Sequence, residues 1–259
     1  SEAAKYYRYC IRLGLADHRI FSNLGVILKD QGRLKDAEFF TEKAIEIKND
    51  FVEAFSNLGA IFIDLGKLEK AETSIRKAIY LDPENAIAHS NLANLLIYLG
   101  DSYEAERCIR KAIEINPNHA NSYLTFGQIL KELGKYQQAL DAYKKVIGIN
   151  PNLSLTYKHI TDLLYDVELS EFNKSNLKYI LRLLLFREDV DHTKLFPAFH
   201  YLYADELTNQ LSGKFLFTSV NKVFDNQLIF EAFKKIIFVD IRLEKIIITL
   251  RKNICFYID

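Results

Sequence analysis

The sequence predicts an all-α fold, a solenoid built from stacked helix hairpins, and three observations predict it. The string SNLGVILKDQGRLKDAEFFTEKAIEI, beginning at Ser22, returns after 34 residues at Ser56 and again at Ser90, and in weaker form around Thr125. Gly32, Gly66, Gly100 and Gly134 stand between the two halves of each unit. Pro83, Pro117 and Pro151 close the later units, with Asn49 in that place in the first. A fixed period of this size is the signature of a repeat architecture.

Each element follows from that period. Residues 1–17 read as the second helix of a preceding unit, with Ala3, Tyr7, Cys10 and Leu13 in its columns. Full units follow at 18–51, 52–85, 86–119 and 120–153, and 154–166 reads as the first helix of a fifth. Within a unit, Leu24, Leu58, Leu92, Phe126 and Ile160 form one apolar column. Small residues recur at Gly25, Gly59, Ala93, Gly127 and Thr161, and at Ala37, Ala71, Ala105 and Ala139. Large apolar residues at helical spacing fill the space between two helices, and small ones let the helices approach closely. The mid-unit glycine supplies the left-handed turn that ends one helix, and the proline falls where no helical N–H is needed. A single hairpin cannot bury its apolar face alone, so neighbours must stack.

After Tyr165 the period dissolves. A polar, turn-like stretch runs from Asp166 to Ser175, followed by helical text at Asn176–Phe186, from near Asp191, and at Asn226–Phe238. Pro197 is expected to kink the second of these. Asp240–Ile258 carries an apolar stripe of Leu243, Ile246, Ile247, Leu250 and Ile254. Lys214–Phe224 is β-branched enough to admit a strand. The expected organisation is a repeat array at 1–166 and a non-repeat helical region at 167–259 that caps the array or links it onward.

The columns closely resemble the tetratricopeptide repeat family. That resemblance implies a right-handed α-solenoid whose first helices line a concave groove, with six positions of each first helix facing inward. At the sixth position this chain carries Asn23, Asn57, Asn91, Thr125 and His159. Carried over in the same way, Ser56, Ile63, Ser90, Asn94, Ile97, Tyr98 and Gln128 line the groove, beside Arg19, Lys29, Asp64 and Ile87. An Asn amide both donates and accepts, so a ladder of them can pair with a peptide backbone of any sequence. The ladder is similar to that of O-linked N-acetylglucosamine transferases. The competing reading is a consensus asparagine held in local hydrogen bonds. The carboxylate clamp of the family's chaperone-binding members is missing, since its central positions hold Glu53/Asn57 and Ile87/Asn91.

Composition narrows the function classes. Lys plus Arg and Asp plus Glu are equal at 34 each, so no strong net field draws the chain to nucleic acid or to an anionic membrane. Hydrophobic residues at 49% with 26% charged mark a globular chain. The three cysteines, Cys10, Cys108 and Cys255, are odd in number and far apart. They imply free thiols in a reducing, cytoplasmic compartment. No apolar run reaches the ~18 residues of a membrane span. There is no Met, and the text begins inside a repeat, so the chain reads as an excerpt of a longer polypeptide.

No catalytic motif is present: no phosphate loop, HExxH, CxxC or GxSxG. His192 and His200 lie two helical turns apart, but no third ligand of suitable spacing joins them, so they read as ordinary helix residues and no metal is expected. Asp189 and Asp191 read as helix-capping groups. No cofactor is expected. The favoured function is an interaction scaffold that captures an extended peptide or partner segment. One alternative is the recognition and linker portion of a larger transferase. The text from Lys174 onward looks like the region after such arrays in marine cyanobacterial proteins, where a methyltransferase-like domain follows. Another is a purely structural spacer or oligomer-building array, the oligomeric state itself being open.

Overall fold

The computed structural model describes residues 2–211 and 227–235, the side chains of 205–211, Phe230 and Phe233 apart. The segments Lys214–Phe224 and Asp240–Ile258, read above as a candidate strand and an apolar stripe, lie outside the described residues, as does Cys255. Every described element is helical, and no strand occurs among the described residues. The order is α1 (Glu2–Arg12), α2 (His18–Asp30), α3 (Leu34–Ile47), α4 (Val52–Asp64), α5 (Leu68–Leu81), α6 (Ala86–Tyr98), α7 (Ser102–Ile115) and α8 (Ala120–Glu132). Then come α9 (Tyr136–Ile149), α10 (Ser154–Asp166), a 3-10 turn (Leu169–Glu171), α11 (Lys174–Leu185), a second 3-10 turn (His192–Leu195), α12 (Phe196–Leu211) and α13 (Gln227–Lys235). The chain forms two compact units, Ser1–Leu133 and a second beginning at Gly134.

In the first unit the repeat chemistry acts as the sequence predicts. Gly32, Gly66 and Gly100 take φ of 72°, 70° and 79°, the left-handed region that costs a glycine little. Each closes a Schellman motif: the N–H of Arg33, Lys67 and Asp101 reaches back to the carbonyl of Leu28, Phe62 and Leu96 at 2.8–2.9 Å. The chain then reverses, and each second helix packs against the first helix of its own unit and that of the next. Successive first helices α2, α4, α6 and α8 also touch one another, forming one layer with α3, α5 and α7 as the other. Close approach within a hairpin is enforced at the glycine column. A Cβ on Gly25 would overlap the Thr41 hydroxyl, and one on Gly59 would overlap Cγ1 of Ile75.

The core follows these columns. Leu24, Leu28, Ala37 and Ile61 form one cluster with Ala4 of α1. Leu58, Phe62, Ile75, Leu92, Leu95, Ile109 and Ile129 form a longer one. Each fully buried Leu or Ile contributes roughly 1.5–3 kcal/mol relative to exposure. At α1 the register differs from expectation. Ala4 and Cys10 are buried, whereas Ala3 and Leu13 are exposed. In the full units the alanine column faces the first helix of the same unit, but α1 packs against α2, which turns Ala4, Tyr7 and Ile11 inward instead.

The second unit continues helical packing after the period is lost. On α11, Leu177, Ile180, Leu181, Leu184 and Leu185 are all fully buried, a stripe at i, i+3, i+4, i+7 and i+8. Asn173 caps this helix by accepting from the Ser175 N–H at 2.8 Å, and the Asn173 N–H donates to Gln137 Oε1 of α9 at 3.0 Å. At the other end, Lys235 of α13 donates to the Leu185 carbonyl at 2.7 Å. The expected kink at Pro197 does not occur. A 3-10 turn capped by Asp191 precedes α12, so Pro197 is the helix's second residue, in the first turn, where its missing N–H has no partner to lose.

Candidate groove on the inner helices

Within the first unit, the sixth positions of α2, α4 and α6 form a connected row. Asn23 Nδ2 donates to the Tyr7 hydroxyl at 3.3 Å, Asn57 Nδ2 to Ser22 Oγ at 3.1 Å, and Asn91 Nδ2 to the Ser56 main-chain carbonyl at 2.9 Å. Each amide therefore reaches to the preceding unit, and the row ties neighbouring hairpins together. Asn23 is exposed, while Asn57, Asn91 and Thr125 are half-buried. His159 belongs to the second unit, on α10, where its ring stacks on Tyr143 at 5.9 Å.

The remaining groove candidates separate by depth. Asn94, Ile97 and Gln128 are half-buried, and Tyr98 stands clear at 63% exposure. Ser56, Ser90 and Ile63, expected on the groove surface, are buried beneath it. The serines sit where successive first helices meet, and Ile63 belongs to the longer core cluster with Ile97 packed against it. The apolar part of the surface is accordingly Tyr98 with the exposed Ile87 and Leu99, at the two ends of α6. Tyr7 and Ser22, the amides' partners, were not legible as ladder residues. Their role depends on helix contacts between units.

Charged groups along this face are largely matched to one another. The Arg19 guanidinium holds Asp17, the N-cap of α2, at 2.6 Å. Hydrogen bonding to Arg19 lowers the Asp17 carboxyl to about 2. Lys29 lies 3.6 Å from Asp64 of the next unit, and Glu132 accepts from Ser102 Oγ at 2.7 Å. What the face offers a ligand is thus amides, one phenol and aliphatic surface more than net charge.

No group of three or more His, Cys, Asp or Glu side chains able to hold a metal ion occurs among the described residues. Asp191 accepts from the Thr193 N–H and hydroxyl, which holds its carboxyl below the ordinary range, as a capping group requires. Asp189 is instead clamped by Arg187 at 2.7 and 2.8 Å, which also lowers its pKa. Cys10 and Cys108 are free and buried, and burial pushes the Cys108 thiol up. No described helix is long and apolar enough to cross a membrane.

Models of the tetratricopeptide repeat match residues 18–51, 52–85 and 84–152, together just over half of the chain. No curated protein matches. Among solved structures, the pilF protein of Pseudomonas aeruginosa is similar with a TM-score of 0.60 at 19% identity, over 84% of this chain and 96% of that one. A thermophilic TPR protein of Thermus thermophilus is similar with a TM-score of 0.55 at 20% identity, over 63% of this chain and 90% of that one. These likenesses show the repeat family and the fold. They do not show the finer similarity to O-linked N-acetylglucosamine transferases or to marine cyanobacterial transferase fusions.

Proposed function

The chain belongs to the tetratricopeptide repeat family, and on that premise we propose that the inner face of α2, α4, α6 and α8 binds an extended segment of a protein partner. The observation that carries this reading is the tethered row Asn23, Asn57, Asn91. An Asn amide has two N–H donors and one carbonyl oxygen, and the inter-unit bond takes one donor from each. One N–H and the oxygen remain for a peptide group, and the tether holds the amide in one rotamer. Ordering a side chain in advance removes part of the entropy cost of binding. Tyr98 and Ile87 then add side-chain preference on α6, where the backbone-reading amides add none.

The protein is accordingly an interaction scaffold, acting in the cytoplasm, with 1–166 as its array and 167–259 as cap or linker. The comparisons lend no support to the alternative of a transferase's recognition portion. Calorimetry with several unrelated peptides tests the groove. The Asn57→Ala/Asn91→Ala double variant should weaken all binding peptides alike, by roughly tenfold at ~0.5–1.5 kcal/mol per lost bond. Tyr98→Ala should reorder the peptides by affinity. Unchanged affinities in both variants, with folding confirmed by thermal melts, would rule the groove out.

A further inference from the structure

We propose that the outer groove between α5 and α7 is a second binding site, which holds an acidic peptide segment through a carboxylate and a neighbouring apolar side chain. A cavity of about 460 Å³ opens there, on the second helices and away from the ladder. That volume falls within the ~300–1,000 Å³ of ordinary ligand pockets. Its apolar wall is Ile79 of α5 and Leu92 of α6, with Tyr80, largely exposed, beside them. Arg76, Arg107 and Lys111 face it with cations against one carboxylate, Glu104.

These cations have carboxylate neighbours but are not used up by them. Arg76 pairs with Glu72 at 2.8 Å, Arg107 with Glu104 at 3.0 Å, and Lys111 with Glu84 at 3.3 Å and Glu114 at 3.9 Å. Glu72, Glu84 and Glu114 are not part of the cavity wall. The pairs are exposed, with the Arg107 side chain at 80%, so each is worth little and yields readily to a competing anion. A guanidinium carries five donors, more than one carboxylate can occupy. An inorganic anion would meet these cations but leave Ile79 and the exposed Tyr80 uncovered, whereas Glu or Asp beside Phe or Leu covers both parts of the site.

The repeat itself supplies an independent second observation. The Arg76 column continues as Arg110 and Lys144, and the Ile79 column as Ile113 and Ile147. A cavity of about 450 Å³ recurs in the second unit at those columns, lined by Lys144, Ile147 and Gly148 of α9 and Tyr179 of α11. Arg110 is held over the Phe126 ring at 4.8 Å and is committed there. The first full repeat, 18–51, carries Glu42 at this column, so the cationic series begins with α5.

Cys108 also lines the cavity and reports its occupancy. The test uses the full chain, fluorescently labelled acetyl-Glu-Phe-Glu-Glu-amide and its Gln-Phe-Gln-Gln counterpart. Binding is read by anisotropy, and Cys108 alkylation by iodoacetamide is followed by mass spectrometry. The acidic peptide should bind and slow Cys108 alkylation. Arg107→Glu/Lys111→Glu should abolish the slowing of Cys108 alkylation and weaken binding about tenfold, whereas Asn57→Ala/Asn91→Ala, which acts on the inner face, should leave that slowing in place, with circular dichroism confirming both folds. Equal slowing of Cys108 alkylation by the glutamine peptide, or in the charge-reversed variant, would overturn the site. Loss in the asparagine variant alone would move the peptide to the inner face. Displacement by inorganic phosphate at the peptide's own concentration would reduce the site to simple anion binding, against the proposal.

Discussion

Asn91 donates a 2.9 Å hydrogen bond from its side-chain amide to the main-chain carbonyl of Ser56, one full repeat earlier. With the matching bond from Asn57 to Ser22, it joins α2, α4 and α6 in series. The asparagine column therefore has a cost when removed even without a ligand. Two lost bonds take away about 2 kcal/mol, and two Asn→Ala changes inside helices return about 1 kcal/mol in propensity. Asn57→Ala/Asn91→Ala should lower stability by about 1 kcal/mol in urea titrations. A variant as stable as the parent would mean that the bonds carry nothing between repeats.

Thr41 occupies the column that holds Ile75, Ile109 and Tyr143 in the later units. It is fully buried, and its hydroxyl finds no partner. An unsatisfied buried hydroxyl costs about 1–3 kcal/mol. Thr41→Val keeps the shape and removes that penalty, so it should raise the urea midpoint, by about 1 kcal/mol of stability. A fall in the midpoint would mean that the hydroxyl is paired in solution.

Two helical glycines should respond to alanine with opposite signs. At Gly59 a Cβ overlaps Cγ1 of the fully buried Ile75, and overpacking of this kind costs ~1–3 kcal/mol, more than the ~1 kcal/mol gained in helix propensity. At Gly148 nothing lies within 4 Å. Gly59→Ala should therefore destabilise and Gly148→Ala should stabilise, by up to ~1 kcal/mol. Thermal melts of the pair decide it, and a stabilising Gly59→Ala would refute the close approach of α4 and α5.

His119 is the N-cap residue of α8, and its Nδ1 lies 2.8 Å from the Ser122 hydroxyl without bonding a helix N–H. Burial holds its pKa below the ordinary 6.5. The unfolded chain thus takes up the proton more readily than the folded one, so stability falls as pH drops from 6.5 toward the lowered value and does not change on this account above it. His119→Asn removes the imidazole, places a side chain favoured at N-caps there, and should flatten that part of the profile. The check is the difference in urea midpoint between the two proteins at pH 7.5, 6.5 and 5.5. A difference that stays constant would remove His119 from the pH dependence.

Much of this fold was legible in the chain because its signals are local and repeated. A left-handed turn needs glycine, so Gly32, Gly66, Gly100 and Gly134 marked the hairpins, and each takes a positive φ. Close packing needs a missing side chain, so Gly25 and Gly59 marked the tight crossings. Where the period stops, the legibility stops with it: Pro197 alone could not reveal that a 3-10 turn would set α12 to begin just before it.

The sequence by itself determined which residues recur at the sixth position, because a 34-residue column is a property of the text. Only the tertiary structure decided what each recurring side chain touches. Asn57 and Asn91 reach partners 35 residues earlier, and Ser56, Ser90 and Ile63 are covered, because the next first helix lies against them. Depth and partnership are set by contacts between units, and a single helix's period does not encode them. The cavity between α5 and α7 is the same case. Arg76 and Arg107 are 31 residues apart in sequence, and it is the stacking of one second helix on the next that brings them to a common wall.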